Sequence, residues 1–189
     1  MVRQMKINLS APLQGDSIVD GDGIRAVVWT QGCAHHCKGC HNPETHDFKE
    51  NYLKDVSELK EEIASLSLID GVTFSGGDPM FQPEACAEIA KYVKSIGLNV
   101  WAYTGYTFEE LVALSKHNPA IMEFLENIDI LVDGKFMLEH KSLALTYRGS
   151  TNQRIINVKK SLKEKTAVIE NKYMEKEASL KPVYEHVYI

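Results

Sequence analysis

An α/β fold with an open, mainly parallel sheet is what this sequence predicts, and three observations carry that reading. Short apolar runs rich in β-branched and aromatic residues alternate with stretches of helical period, the pattern of consecutive βαβ units. Glycines close several of those runs, as at Gly32, Gly76 and Gly134, where a strand gives way to a turn. The 189 residues, at roughly 30 per unit, supply about five or six units and not the eight of a closed barrel. The expectation is an open partial (β/α) barrel.

Ile24–Thr30 is composed as a buried strand that stops just before Gly32. Val56, Leu59, Ile63 and Leu66 share one helical face and predict a helix over about Asp55–Leu66. Gly71–Ser75 is a second strand, broken by Gly76-Gly77-Asp78-Pro79. Ala85, Ile89, Tyr92, Val93 and Ile96 mark the next helix, and Gly97 closes it from the favoured C-terminal position. Leu98–Tyr103 is a third strand, Thr107 begins a helix running to about Ser115, and Ile128–Val132 is a fourth strand followed by Asp133-Gly134. Arg154–Val158 supplies a fifth. Strands alternating with helices in this way join in parallel through right-handed crossovers. The partial-barrel domain then occupies residues 1–164. Residues 165–189, charged and without clear period, form a C-terminal extension packed on that domain or on a partner.

Composition narrows the function classes. A chain of this length buries roughly 70% of its unfolded surface and needs no disulfide or metal merely to fold. With 21 Lys and Arg against 26 Asp and Glu, it lacks the basic surplus that gives non-specific nucleic-acid affinity. Met1–Ser10 holds no apolar stretch followed by a small-residue cleavage site, and no apolar run approaches the ~20 residues that span a bilayer. The expectation is a cytoplasmic protein with neither membrane nor nucleic-acid partner. There, thiols stay reduced and grouped cysteines hold metal or do chemistry.

Three of the four cysteines fall within eight positions, Cys33-Ala-His-His-Cys37-Lys-Gly-Cys40-His41, directly after the first strand. The functional edge of a parallel α/β sheet lies at the carboxyl ends of its strands, so these thiols sit where a site is expected. Three thiolates in one short loop can hold three irons of a 4Fe-4S cluster and leave the fourth open to a non-protein ligand. A closed zinc site is the second reading, with His35, His36 or His41 as the fourth ligand. Cys37-Lys-Gly-Cys40-His41 also fits c-type haem attachment, but without an export signal that chemistry has no place, and it leaves Cys33 unused. Three unrelated core thiols come last, because such residues have no reason to gather in a polar, glycine-containing loop. Cys86, beside Ile89 and Val93 on the second helix, reads as a small buried hydrophobe.

The Cys33–Cys40 loop resembles the cluster loop of the radical S-adenosylmethionine superfamily. That resemblance implies that Cys33, Cys37 and Cys40 bind a 4Fe-4S cluster and act catalytically through it. It also implies that S-adenosyl-L-methionine chelates the fourth iron, with Gly39, Cys40 and His41 beside it. Gly76-Gly77-Asp78 is similar to the superfamily's Gly-Gly-Glu element, which implies a seat for the methionine amino group, Asp78 being one methylene shorter than the commoner Glu. Alone, those residues would read as a tight turn. Tyr103-Thr104-Gly105-Tyr106 and Leu131-Val132-Asp133-Gly134 end the third and fourth strands on the same edge. They either terminate strands or line an adenosine and ribose pocket, where Asp133 would accept from a hydroxyl.

Val19-Asp-Gly-Asp-Gly-Ile-Arg25 resembles the lead-in segment of glycyl-radical-enzyme activases. His41-Asn-Pro-Glu-Thr45 and Tyr147–Val158 resemble the activating proteins of anaerobic ribonucleoside-triphosphate reductase, and the likeness spans about residues 5–160. It implies an oxidoreductase that cleaves S-adenosylmethionine reductively, takes its electron from flavodoxin or ferredoxin, and generates the glycyl radical of that reductase; a homodimer is compatible with it. The chain has no cysteines for a ferredoxin-like insert and is too short to enfold a large organic substrate, which favours a protein as the substrate. Two rivals stand beside this: another small radical enzyme acting on a peptide or nucleobase, and a zinc-binding interaction module.

Overall fold

The computed structural model describes residues 4–174. Four parallel strands make the centre of one sheet: β3 (Arg25–Thr30), β5 (Gly71–Gly76), β6 (Asn99–Tyr103) and β7 (Ile130–Asp133), in that spatial order. Antiparallel strands flank them on both sides. β8 (Arg154–Asn157) runs against β7, while β1 (Lys6–Leu9) and β2 (Gln14–Ser17) run one after the other along the far edge of β3. β4 (Tyr52–Asp55) pairs with β1 at the outer margin. The result is the mixed, mostly parallel α/β architecture of a partial barrel. The difference from expectation lies in the fifth strand, which pairs with β7 antiparallel.

Helices α1 (Val56–Ser65), α2 (Pro83–Ser95), α3 (Phe108–Leu114), α4 (Pro119–Glu126) and α5 (Val158–Glu164) connect or follow these strands. Successive strand residues point to opposite faces, and the two faces differ. Val72, Phe74, Val100, Ala102, Leu131 and Ile156 meet Leu59, Ile63, Ile89 and Phe124 of the helices in one large apolar core. Trp101, Ile130, Val132 and Ile155 face the other way and pack against Tyr103, Tyr147 and Tyr173. Cys86 is fully buried among the helix-side residues, where burial pushes its thiol well up.

Arg25 enters this second face fully buried. Its guanidinium donates to Thr73 Oγ1, the Val72 carbonyl and Asn99 Oδ1, and lies 5.6 Å from the centre of the Trp101 ring. Burial lowers its pKa to about 10, so it stays charged at neutral pH. Residues 165–174 lie on this body: Ile169 bridges to Ile156, and the short helix α6 (Asn171–Met174) seats Tyr173 against Trp101 at 5.0 Å. The rest of the extension, 175–189, is outside the described residues.

Candidate active site

The cysteine loop leaves β3 through Gln31-Gly32, and main-chain bonds fasten its root. Gly32 N–H donates to Thr45 O at 2.8 Å and Cys33 N–H to His46 O at 3.3 Å, joining the two ends of the loop. Gly77 N–H donates to Thr30 O at 2.7 Å and Asp78 N–H to Gly32 O at 3.0 Å, joining it to the end of β5. Glycine is what allows this approach. A Cβ on Gly77 would stand 2.5 Å from Gly32 O, and one on Gly76, at φ 94°, would stand 2.8 Å from Thr30 O. The backbone of this glycine pair therefore packs against the root of the loop, while both residues also line the cavity beside it.

That cavity, about 580 Å³, opens at the carboxyl ends of the strands and falls within the size range of small-molecule sites. Cys33, Cys37, Cys40 and His41 line it together with Gly76, Gly77 and Asp78. The three thiols are half-buried and unpaired. Gly39 takes a left-handed turn, φ 75°, beneath Leu138, and His41 stands with its ring 5.0 Å from Phe136. Burial pushes the Cys33 thiol up to about 11, with Asp78 adding to it and the His35 N–H opposing; Cys37 is pushed up in the same way.

The two acidic residues expected to meet the cofactor are already engaged. Asp78 Oδ2 accepts from His35 Nε2 at 2.7 Å, Thr104 Oγ1 at 2.8 Å and Gly105 N–H at 2.9 Å, and its Oδ1 accepts from Met80 N–H at 2.9 Å. Asp133 is fully buried and does not reach the cavity. Its carboxylate accepts from the Phe108 N–H at the start of α3 and from Nε and Nη2 of Arg154, whose Nη2 also holds Glu109. Burial raises the Asp133 carboxyl against the pull of Arg154 and Phe108. The hydroxyl-accepting role expected for Asp133 is therefore not what its side chain does here, and only its neighbour Gly134 lines the cavity.

Sequence reasoning missed the wall that a later segment adds beside the cysteine loop, with Phe136 5.0 Å from the His41 ring. Phe136, Leu145, Tyr147 and Gly149 come from the segment between β7 and β8 and line the same cavity. Tyr147 holds an unusual positive φ of 56° and stacks edge-on against Trp101. Tyr147 and Gly149 fall in the stretch that resembles the activating proteins, but Phe136 and Leu145 carry no reactive group, so nothing in the sequence placed those two at the site. It also missed the link from His35 to Asp78, 43 positions apart.

The donor set suits a polynuclear cluster. Three half-buried thiols face one cavity at a strand edge, and cysteines bind metal as thiolates, releasing their protons as they do so. Asn42 N–H lies 3.4 Å from Cys40 Sγ, a contact that favours a sulfur carrying negative charge. Among the described residues, no three His, Cys, Asp or Glu side chains converge tightly enough to enclose a single metal ion.

Comparison with known proteins agrees with this chemistry. Residues 19–156 match the family described as 4Fe-4S single cluster domain. The chain is 35% identical over 147 residues to the anaerobic ribonucleoside-triphosphate reductase-activating protein of Escherichia coli, covering 72% of this chain and 90% of that one. The chain belongs to this family of activating proteins. The same-named proteins of Haemophilus influenzae and Vibrio cholerae are 32% and 34% identical to it, each match covering 73% of this chain and 90% of the relative. Membership makes the chain a radical S-adenosylmethionine oxidoreductase with a 4Fe-4S cluster as its cofactor site.

Proposed function

We propose that this protein activates the anaerobic ribonucleoside-triphosphate reductase by forming its glycyl radical, with Cys33, Cys37 and Cys40 holding the 4Fe-4S cluster. The observation that carries this reading is the convergence of three unpaired thiols on one cavity at the strand ends of a chain from this family. When bound, the reduced cluster and S-adenosylmethionine supply a carbon-centred radical able to remove a hydrogen atom from glycine.

The chain's own share is binding, orientation and exclusion of water. The main chain of Gly76 and Gly77 and the side chain of His41 line the space beside the thiols and would bound the methionine end of the cofactor. Gly134, Phe136 and Gly149, from the segment after β7, would bound the rest. Exposed Val19, with half-buried Leu145 and Tyr147, gives the cavity an apolar rim that suits a backbone loop of a protein partner. Flavodoxin or ferredoxin would deliver the electron, and the reaction would run in the cytoplasm; among the described residues no helix is long and apolar enough to cross a membrane. Residues 1–164 would form the catalytic body and 165–189 an accessory extension.

Anaerobic reconstitution of the full chain with iron and sulfide, followed by reduction with S-adenosylmethionine, should yield 5′-deoxyadenosine. Addition of the reductase should give a glycyl-radical EPR signal. A brown, iron-loaded protein that forms neither would sink this function.

A further inference from the structure

Asp78 is buried to 1% exposure, and its His35 partner keeps 7% of its side chain exposed. A carboxylate oxygen can only accept, so His35 carries its proton on Nε2 when it bonds Asp78 Oδ2. Three loops meet at that oxygen: His35 from the cysteine loop after β3, Asp78 itself after β5, and Thr104 and Gly105 after β6. The His35 ring is further clasped by Tyr106, edge-on at 4.6 Å, and by Phe81 at 5.9 Å. Gly105 is shaped for it, since a Cβ there would stand 2.4 Å from the His35 ring. Asp78 Oδ1 meanwhile caps the short 3-10 turn Pro79–Phe81 through Met80 N–H.

We infer that Asp78 is a positioning residue that sets the cysteine loop through His35, and that it does not itself contact the cofactor. Asp78 Oδ2 already accepts from three donors, so an ammonium group could use that oxygen only by releasing one of them, which would be left buried without a partner, while Oδ1 is turned to Met80 N–H. His35 sits midway between Cys33 and Cys37. Its tether to Asp78 fixes that stretch relative to Gly77, whose N–H and that of Asp78 hold the loop's root. The pair thus sets where the thiols stand relative to the cavity wall. Its shorter side chain is part of the fit: a glutamate would thrust its carboxylate one methylene further into a socket already filled by His35, Thr104 and Gly105.

This inference rests on the proposed cluster and cofactor, and the test separates the two. The full-length protein and its His35→Ala, His35→Gln, Asp78→Asn and Asp78→Glu variants are reconstituted anaerobically. Iron per chain, the change in the reduced-cluster EPR spectrum on adding S-adenosylmethionine, and the Kd for that cofactor are measured. His35→Ala and Asp78→Asn should each weaken the cofactor about 10- to 100-fold and alter the EPR response alike, and the double variant should be no worse than either. His35→Gln, whose amide can still donate, should recover most of the affinity, and Asp78→Glu should not. The inference is overturned if Asp78→Asn weakens the cofactor while His35→Ala does not, if the two losses add, or if Asp78→Glu binds as well as wild type. Where Asp78→Asn fails to fold by circular dichroism, the contrast between His35→Ala and His35→Gln decides alone, and an unaffected His35→Ala overturns it. Wild-type protein that takes up no iron would instead defeat the proposed function.

Discussion

Two buried carboxylates, Asp78 after β5 and Asp133 at the end of β7, occupy equivalent places in the sheet and do different work. Both stand at the carboxyl edge of a parallel strand, and both accept hydrogen bonds from the backbone of a neighbouring segment. Asp78 binds the loop that carries the cysteines and lines the cavity. Asp133 faces away, toward the first turn of α3 and the guanidinium of Arg154 on β8. Position along a strand nominates a residue for function; the donors that surround it decide which part of the protein it holds in place. One region organises a site, and the other closes the sheet's antiparallel margin.

The contrast can be broken at four points. The largest expected effect is at the cysteines: Cys33→Ala should lose the cluster and all 5′-deoxyadenosine formation, read as iron content and product by chromatography, with the thermal midpoint little changed. Asp133→Ala should do the reverse. It strips the buried end of an ion pair from Arg154 and leaves the Phe108 N–H without its acceptor. Arg154 is partly exposed and keeps Glu109, so the main loss is the buried Phe108 N–H, about 1–3 kcal/mol, a lower melting temperature by calorimetry with unchanged cofactor affinity. Equal damage to that affinity would erase the distinction between the two carboxylates.

Cys86→Ala sharpens the same line, because its thiol is buried in the helix-side core with no polar partner in the site. It should cost about 1 kcal/mol of stability and leave iron loading intact. The smallest effect concerns Glu109, which shares Arg154 with Asp133. Arg154 holds the Glu109 carboxyl below its ordinary range, so the native state binds that proton less readily than the unfolded chain. Its stabilisation is present above the ordinary carboxylate pKa and lost as pH falls through the lowered value. Glu109→Gln should therefore be slightly less stable than wild type at pH 7, by well under 1 kcal/mol at an exposed pair. The gap should shrink in urea titrations below about pH 4. A gap that widens in acid would refute the pairing.

Much of the architecture could be read from the chain because its signals are local. Arg25–Thr30, Gly71–Gly76, Asn99–Tyr103 and Ile130–Asp133 are strands within a residue or two of expectation, and the Thr107–Glu110 capping box starts α3 where Thr107 pointed. The strands that escaped are short or polar. Gln14–Ser17 reads Gln-Gly-Asp-Ser and becomes a strand only because the edge of β3 is there to pair with it. Helix α4 was legible in Asn118-Pro119 followed by an apolar run, since Asn118 caps Ala120 N–H and proline suits the first turn; it was overlooked. The cysteine triplet declared itself by spacing. The Asp78–His35 bond and the Phe136–Gly149 wall did not, because they join residues that only the folded sheet brings together.

Where β5 meets the root of the cysteine loop, the joint is main chain on main chain, with Gly77 pressed on Gly32 and no side chain between them. Such a joint has no adjusting screw. Substitutions elsewhere in the loop can change what the thiols meet, but none can lengthen or shorten the span from β5 to the first cysteine. The protein therefore carries its reference distance in the peptide backbone, and its amide protons at Gly32, Cys33, Gly77 and Asp78 should resist exchange with solvent before any metal arrives.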